Sequence, residues 1–192
     1  MKLQNIILLV ATFFFSKSNA QHHHHHDHDS IHISSQIEKT SKDTVTQFNA
    51  VLTAYLDLKN ALVMNDANKA ATSAKSFMKA IDALDTKRLT NKQDLIWTMY
   101  AEKLSFDLEH IKGAPETEHQ REHFVSLSKN LYEVAKVFKA NPDDLYYQFC
   151  PMANDGKGAF WLSEQSKIRN PYFGKKMLSC GSTKETLQAA KR

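Results

Sequence analysis

Residues 90–115 read TNKQDLIWTMYAEKLSFDLEHIKGAP. Trp97, Tyr100, Leu104, Leu108 and Ile111 recur at steps of three and four, the spacing of one helix face. Ile96, Met99 and Phe106 widen that stripe toward a second face. Thr90 and Gln93 stand three apart, as the reciprocal side-chain cap of a helix start requires. At the other end, Gly113 can take the left-handed position that closes a helix, and Pro115, lacking an N–H, stops it from continuing.

The same period runs outward on both sides. Upstream, a segment from about Glu38 carries Val45, Phe48, Leu52, Tyr55, Leu56, Leu62 and Val63, and Asn65-Asp66 ends it while offering the next N-cap. Ala70, Ala74, Phe77, Ile81 and Leu84 mark a second segment. Downstream, Thr117 and Gln120 form another capping box, and Phe124, Leu127, Leu131, Val134 and Phe138 carry a helix to Asn141-Pro142. Four segments of about 20–25 residues joined by short turns predict an all-α fold, an antiparallel four-helix bundle within residues 38–140.

Helical bundles often hold cofactors. Covalent haem needs Cys-x-x-Cys-His, which is absent. A carboxylate di-iron centre needs Glu-x-x-His on two helices, and only Glu116 and His119 have that spacing, astride a helix start. His119 and His123 stand four apart on one helix face, right for sharing a metal, but without the Glu that follows the first His in zinc proteases. Two solvated polar residues would have the same spacing.

The chain has 192 residues, 42% hydrophobic and 24% charged, with five Gly and four Pro. This suits one domain with an ordinary core and excludes collagen-like or low-complexity chains. Lys and Arg number 25 against 21 Asp and Glu, and no basic run interleaves with aromatics, so nucleic acid is not an expected partner.

Residues 1–20 read as a cleaved signal peptide: Lys2 in the n-region, an apolar run over residues 6–15, then small residues in Ser18-Asn19-Ala20. The run is about half of the ~20 apolar residues a membrane span needs, and no later segment is more apolar. The expected destination is the periplasm. Cleavage leaves a tract, residues 21–37, expected to be disordered and containing His22, His23, His24, His25, His26 and His28, with Asp27 and Asp29 beside them. Neutral imidazole binds Cu, Zn and Ni, so the tract suggests metal capture without choosing a metal. Its position behind a signal sequence and its interruption by Asp27 argue against a purification tag.

After Pro142 the period disappears. Residues 142–181 form an expected non-helical appendage to the bundle domain of residues 38–192, with four of the five glycines. Residues 145–149 suit a short strand, Phe160-Trp161-Leu162 is a second apolar run, and residues 154–158 and 170–174 have turn chemistry. Both cysteines lie here, each near a methionine: Cys150 with Met152, and Cys180 with Met177. Thiolate and thioether are soft donors and favour Cu(I) over harder ions. A disulfide is the competing reading, since closing this ~30-residue loop would stabilise the fold by roughly 3–4 kcal/mol. Spacing alone leaves both open.

Tyr146-Tyr147-Gln148-Phe149-Cys150-Pro151-Met152-Ala153, Gly158-Ala159-Phe160-Trp161-Leu162-Ser163, Asn170-Pro171-Tyr172-Phe173-Gly174 and Met177-Leu178-Ser179-Cys180-Gly181 together resemble a bacterial domain of unknown function. That domain is frequent in Bacteroidetes and also occurs appended to periplasmic adaptor subunits of copper and silver efflux systems. The resemblance extends to Glu118-His119-Gln120-Arg121, Phe124 and Leu127-Ser128. It implies a periplasmic helical domain tied to heavy-metal handling, with Cys150, Met152, Met177 and Cys180 as site residues, His119 matching the family's helix-start His and His123 beside it.

The expected function is therefore a periplasmic copper or silver chaperone or buffer, and not an enzyme, since no catalytic constellation is legible. The alternative is an interaction domain, stabilised by a Cys150–Cys180 disulfide, that docks on an efflux adaptor or another envelope protein. In that reading Trp161, Tyr172 and Phe173 would form the partner surface.

Overall fold

The computed structural model describes residues 28–190, with side chains from Lys42 onward. The expected signal peptide and His22, His23, His24, His25 and His26 lie outside the described residues, as does the side chain of His28. The chain forms α1 (His28–Val63), α2 (Ala67–Asp82), α3 (Asn91–Gly113) and α4 (Thr117–Phe138), then β1 (Leu145–Cys150), β2 (Ala159–Ser163) and β3 (Ser182–Leu187). Consecutive helices pack on one another, α1 also meets α4, and α4 packs against β2.

The helix stripes define the core. Phe48, Tyr55, Phe77, Leu104, Leu108, Phe124 and Leu127 are fully buried, each such side chain contributing roughly 1.5–3 kcal/mol by leaving water. Asp66 caps α2 by accepting the Lys69 N–H at 2.9 Å, and Thr90 with Gln93 forms the expected capping box on α3.

Several local expectations are corrected. The described part of α1 begins at His28, upstream of the expected start at Glu38. Gly113 is the last residue of α3 and has no positive φ; the left-handed positions fall at Asn65 after α1 and Lys139 after α4. Thr117 and Gln120 make no capping box. Glu116 is the N-cap residue of α4, and the fully buried Gln120 amide instead donates to the carbonyls of Ala67, Ile111 and Ala114, tying three helix ends together. The second face of α3 is not covered, for Met99 and Phe106 are exposed beside Leu95.

The appendage is a three-stranded antiparallel sheet of order β2-β1-β3. β3 is an addition to the expected organisation, which placed no element after Gly181. Its sequence STKETL is polar and lies largely exposed at the sheet edge, so it carries no apolar signal. Tyr147 of β1 stacks on Tyr132 of α4, with centroids 3.7 Å apart, and on Phe160 of β2, at 4.7 Å. Gln148 and Cys150 alternate to the opposite face. There the Gln148 amide donates to the carbonyls of Gln165 and Ser166, which draws the β2–β3 connection across the sheet.

Among the described residues, no helix is long and apolar enough to cross a membrane.

Candidate functional site: a paired thiol

The sheet register brings the two cysteines together. Cys150 ends β1 opposite Ala159, and Phe149 pairs on its other side with Ser182, so the chain entering β3 runs beside Cys150. Gly181 makes that approach feasible. Its φ is +139, and a Cβ there would lie 2.8 Å from the Phe149 carbonyl oxygen and 2.9 Å from Trp161 Cη2.

Cys150 and Cys180 are free thiols and near neighbours, and both Cys150 and the Met152 N–H bear on the ionisation of Cys180. Cys150 is fully buried and Cys180 half-buried, so the pair meets solvent on the Cys180 side. The hydrogen bond with Cys150, and then burial, push the Cys180 thiol above its ordinary range, while the Met152 N–H acts in the opposite sense. At neutral pH Cys180 is therefore a protonated thiol whose loss of a proton must be driven by something that binds sulfur.

The two methionines are close to the cysteines along the chain. The Met177 carbonyl accepts the Cys180 N–H at 3.1 Å, closing a tight turn, and its side chain is half-buried. The Met152 side chain is 54% exposed. It lines a cleft of about 590 Å³ shared with Glu118, Arg121, Glu122, Asp155 and Lys176. Arg121 holds the cleft walls together by donating to the carbonyls of Pro171, at 2.8 Å, and Leu62, at 3.0 Å.

His119 and His123 are placed elsewhere. His123 faces α3, where its Nδ1 lies 3.3 Å from Asp107 and its ring stacks on His110 with centroids 4.3 Å apart, while His119 lies beside Glu122 and His123 on α4 itself. No contact joins either histidine to the thiols among the described residues. His110 was missed in the sequence reading. The available signal was the turn at Pro115, which folds the end of α3 back beside the start of α4. Among the described residues, no three His, Cys, Asp or Glu side chains already converge as a metal-binding group.

The partner surface of Trp161, Tyr172 and Phe173 is also corrected. Trp161 is fully buried and Tyr172 nearly so, its hydroxyl donating to the Phe160 carbonyl at 2.6 Å, so these rings pack the connection onto the sheet.

Residues 51–143 match a family of proteins of unknown function, DUF3347. That span runs from within α1 to just past α4, so the sheet and both cysteines lie outside it. No curated protein and no solved structure matches the chain.

Proposed function

We propose that the protein binds a soft monovalent ion, Cu(I) or Ag(I), through Cys150 and Cys180, and works as an exported chaperone or buffer in heavy-metal handling. The supporting observation is the sheet register, which brings two free thiols distant in sequence beside each other, one buried and one half-buried. Two thiolates suit a soft ion, and the Met152 and Met177 thioethers would add donors of the same kind. To bind, Cys150 and Cys180 each give up a proton, which couples affinity to pH. His119 and His123 are not part of this site.

In this reading the four helices form an antiparallel up-down bundle that carries the sheet, and the signal peptide delivers the chain to the periplasm. The histidines of residues 22–28 then gather ions near the thiol pair. An efflux adaptor of the kind the sequence resemblance suggests would be a suitable recipient.

The same thiol contact also favours a second reading, in which Cys150 and Cys180 oxidise to a disulfide that stabilises a non-metal interaction domain. Thiol titration of protein taken from the periplasm separates the two. The metal reading expects two free thiols that vanish on Cu(I) addition, and at least a tenfold loss of Cu(I) affinity in Cys150→Ser/Cys180→Ser. Absence of free thiols before reduction supports the disulfide instead.

A further inference from the structure

Three imidazoles lie close together where the end of α3 meets the start of α4. His110 lies in the last turn of α3, and His119 and His123 lie in the first turns of α4. Ring centroids are 4.3 Å apart for His110 and His123 and 5.0 Å apart for His119 and His123.

Their hydrogen bonds share one pattern. His110 Nδ1 lies 2.8 Å from the Phe106 carbonyl oxygen, His119 Nδ1 lies 2.7 Å from Glu122, and His123 Nδ1 lies 3.3 Å from Asp107. A carbonyl and two carboxylates can only accept, so in all three rings Nδ1 carries the proton and donates. In the neutral form of each ring Nε2 then carries the lone pair, and no Nε2 has a hydrogen-bond partner among the described residues. Donation of one ring N–H to a carboxylate or backbone carbonyl is how metal-ligating histidines are oriented and made more basic.

We propose that His110, His119 and His123 form a second, separate site for a divalent cation of the Zn(II), Cu(II) or Ni(II) class, ligated by the three Nε2 atoms. Imidazole suits these ions, and three histidines leave an open fourth position. In the metal-free arrangement the His110 and His123 rings stack rather than converge, so binding turns them. His119 has more freedom to follow than His123, its side chain being 51% exposed against 18%. Asp107, nearly buried and fixed by the Ser126 hydroxyl at 2.8 Å, orients His123 and offsets part of the ion's charge. Glu122 does the same for His119. This site stands independently of the thiol pair. It differs in donor class, and its ion needs no reducing environment.

The test is a Zn(II) titration of the full chain, ¹⁵N-labelled, followed by long-range ¹H–¹⁵N NMR of the histidine rings. The expected result is that the Nε2 signals of His110, His119 and His123 move together while Nδ1 stays protonated. Asp107→Asn should weaken that joint response by about 10–100-fold, as loss of a ligand-orienting partner does, and leave the response of residues 22–28 unchanged. His119→Gln, at an exposed position that does not endanger folding, should abolish the joint shift of the other two rings. Shifts confined to residues 22–28, or His110 and His123 responding identically with and without His119, would overturn the proposal.

Discussion

Asn170 donates its side-chain amide to the Cys180 carbonyl at 2.9 Å while its own carbonyl oxygen accepts the Tyr172 N–H at 2.8 Å. The Asn170 backbone N–H also donates to the Leu178 carbonyl, so one fully buried residue bends residues 170–180 into the shape that presents Cys180 to Cys150. Asn170→Ala leaves buried backbone groups unpaired, and each such group costs roughly 1–3 kcal/mol. We expect the variant to lose stability in that range and its Cys180 to react faster with a thiol reagent. An unchanged reagent rate beside a lowered melting temperature would show that the loop keeps its shape without Asn170.

The methionines provide a test of sulfur chemistry separate from packing. Met152 is 54% exposed and Met177 half-buried, so replacing both with Leu changes little buried volume. Stability should fall by less than about 1.5 kcal/mol. If their thioethers share the ion with the thiolates, Cu(I) affinity should drop at least tenfold, about 1.4 kcal/mol. Competition against a Cu(I) chelator under reducing conditions measures this, and equal affinities would restrict the site to the two thiols.

The helices were legible because each buries one stripe at a 3.6-residue period. All five stripe positions singled out in α4 are in fact buried. The caps were legible only where the side chain had no better partner. Thr90 and Gln93 bond each other on the surface, whereas Gln120 has the same spacing from Thr117 but sits among three helix ends and satisfies their carbonyls instead. The thiol contact depends on register. A strand as polar as β3 leaves its pairing partner unwritten, so spacing could show that Cys150 and Cys180 were both soft donors but not that they are neighbours. The histidines illustrate the opposite error. His119 was grouped with the cysteines through the family resemblance, whereas in the fold it lies beside Glu122 and His123.

Proton competition should be visible in metal affinity. The contact with Cys150 raises the Cys180 thiol above its ordinary range, so at neutral pH binding must displace that proton. Affinity for Cu(I) or Ag(I) should therefore climb as pH rises, by about tenfold per unit for each proton released. Metal-free stability should follow the opposite sign. A group whose folded pKa is raised stabilises below its unfolded pKa, and that contribution is lost as pH rises through the folded value. Ag(I) titrations over pH 6–8 check the first statement. An affinity independent of pH would mean that the ion is held without Cys180.

One ion pair joins the helices to the loop after β2, and it predicts how the domain responds to acid. Lys59 on α1 is fully buried, its Nζ 2.6 Å from Glu164 Oε2, and the Asn60 amide donates to the other oxygen at 3.2 Å. Burial pushes the Lys59 amine down from its ordinary range. Burial also pushes the Glu164 carboxyl up, but the hydrogen bond and charge of Lys59 outweigh it and leave that carboxyl below its usual range. Removing one partner of a buried pair strands the other, at a cost of about 3–5 kcal/mol when both are fully enclosed. Glu164 keeps 31% of its side-chain exposure, so Glu164→Gln should cost less, roughly 2–3 kcal/mol at pH 7. Lys59→Met should cost less again, because the carboxylate it strands can still reach water. The depressed Glu164 pKa contributes stability that is full above the unfolded value near 4.5 and disappears as pH falls through the folded one. Urea unfolding of wild type and Glu164→Gln at pH 7 and pH 3 should show the difference between them shrinking toward zero in acid. A difference equally large at both pH values would mean that Glu164 holds the loop through shape and not through its charge.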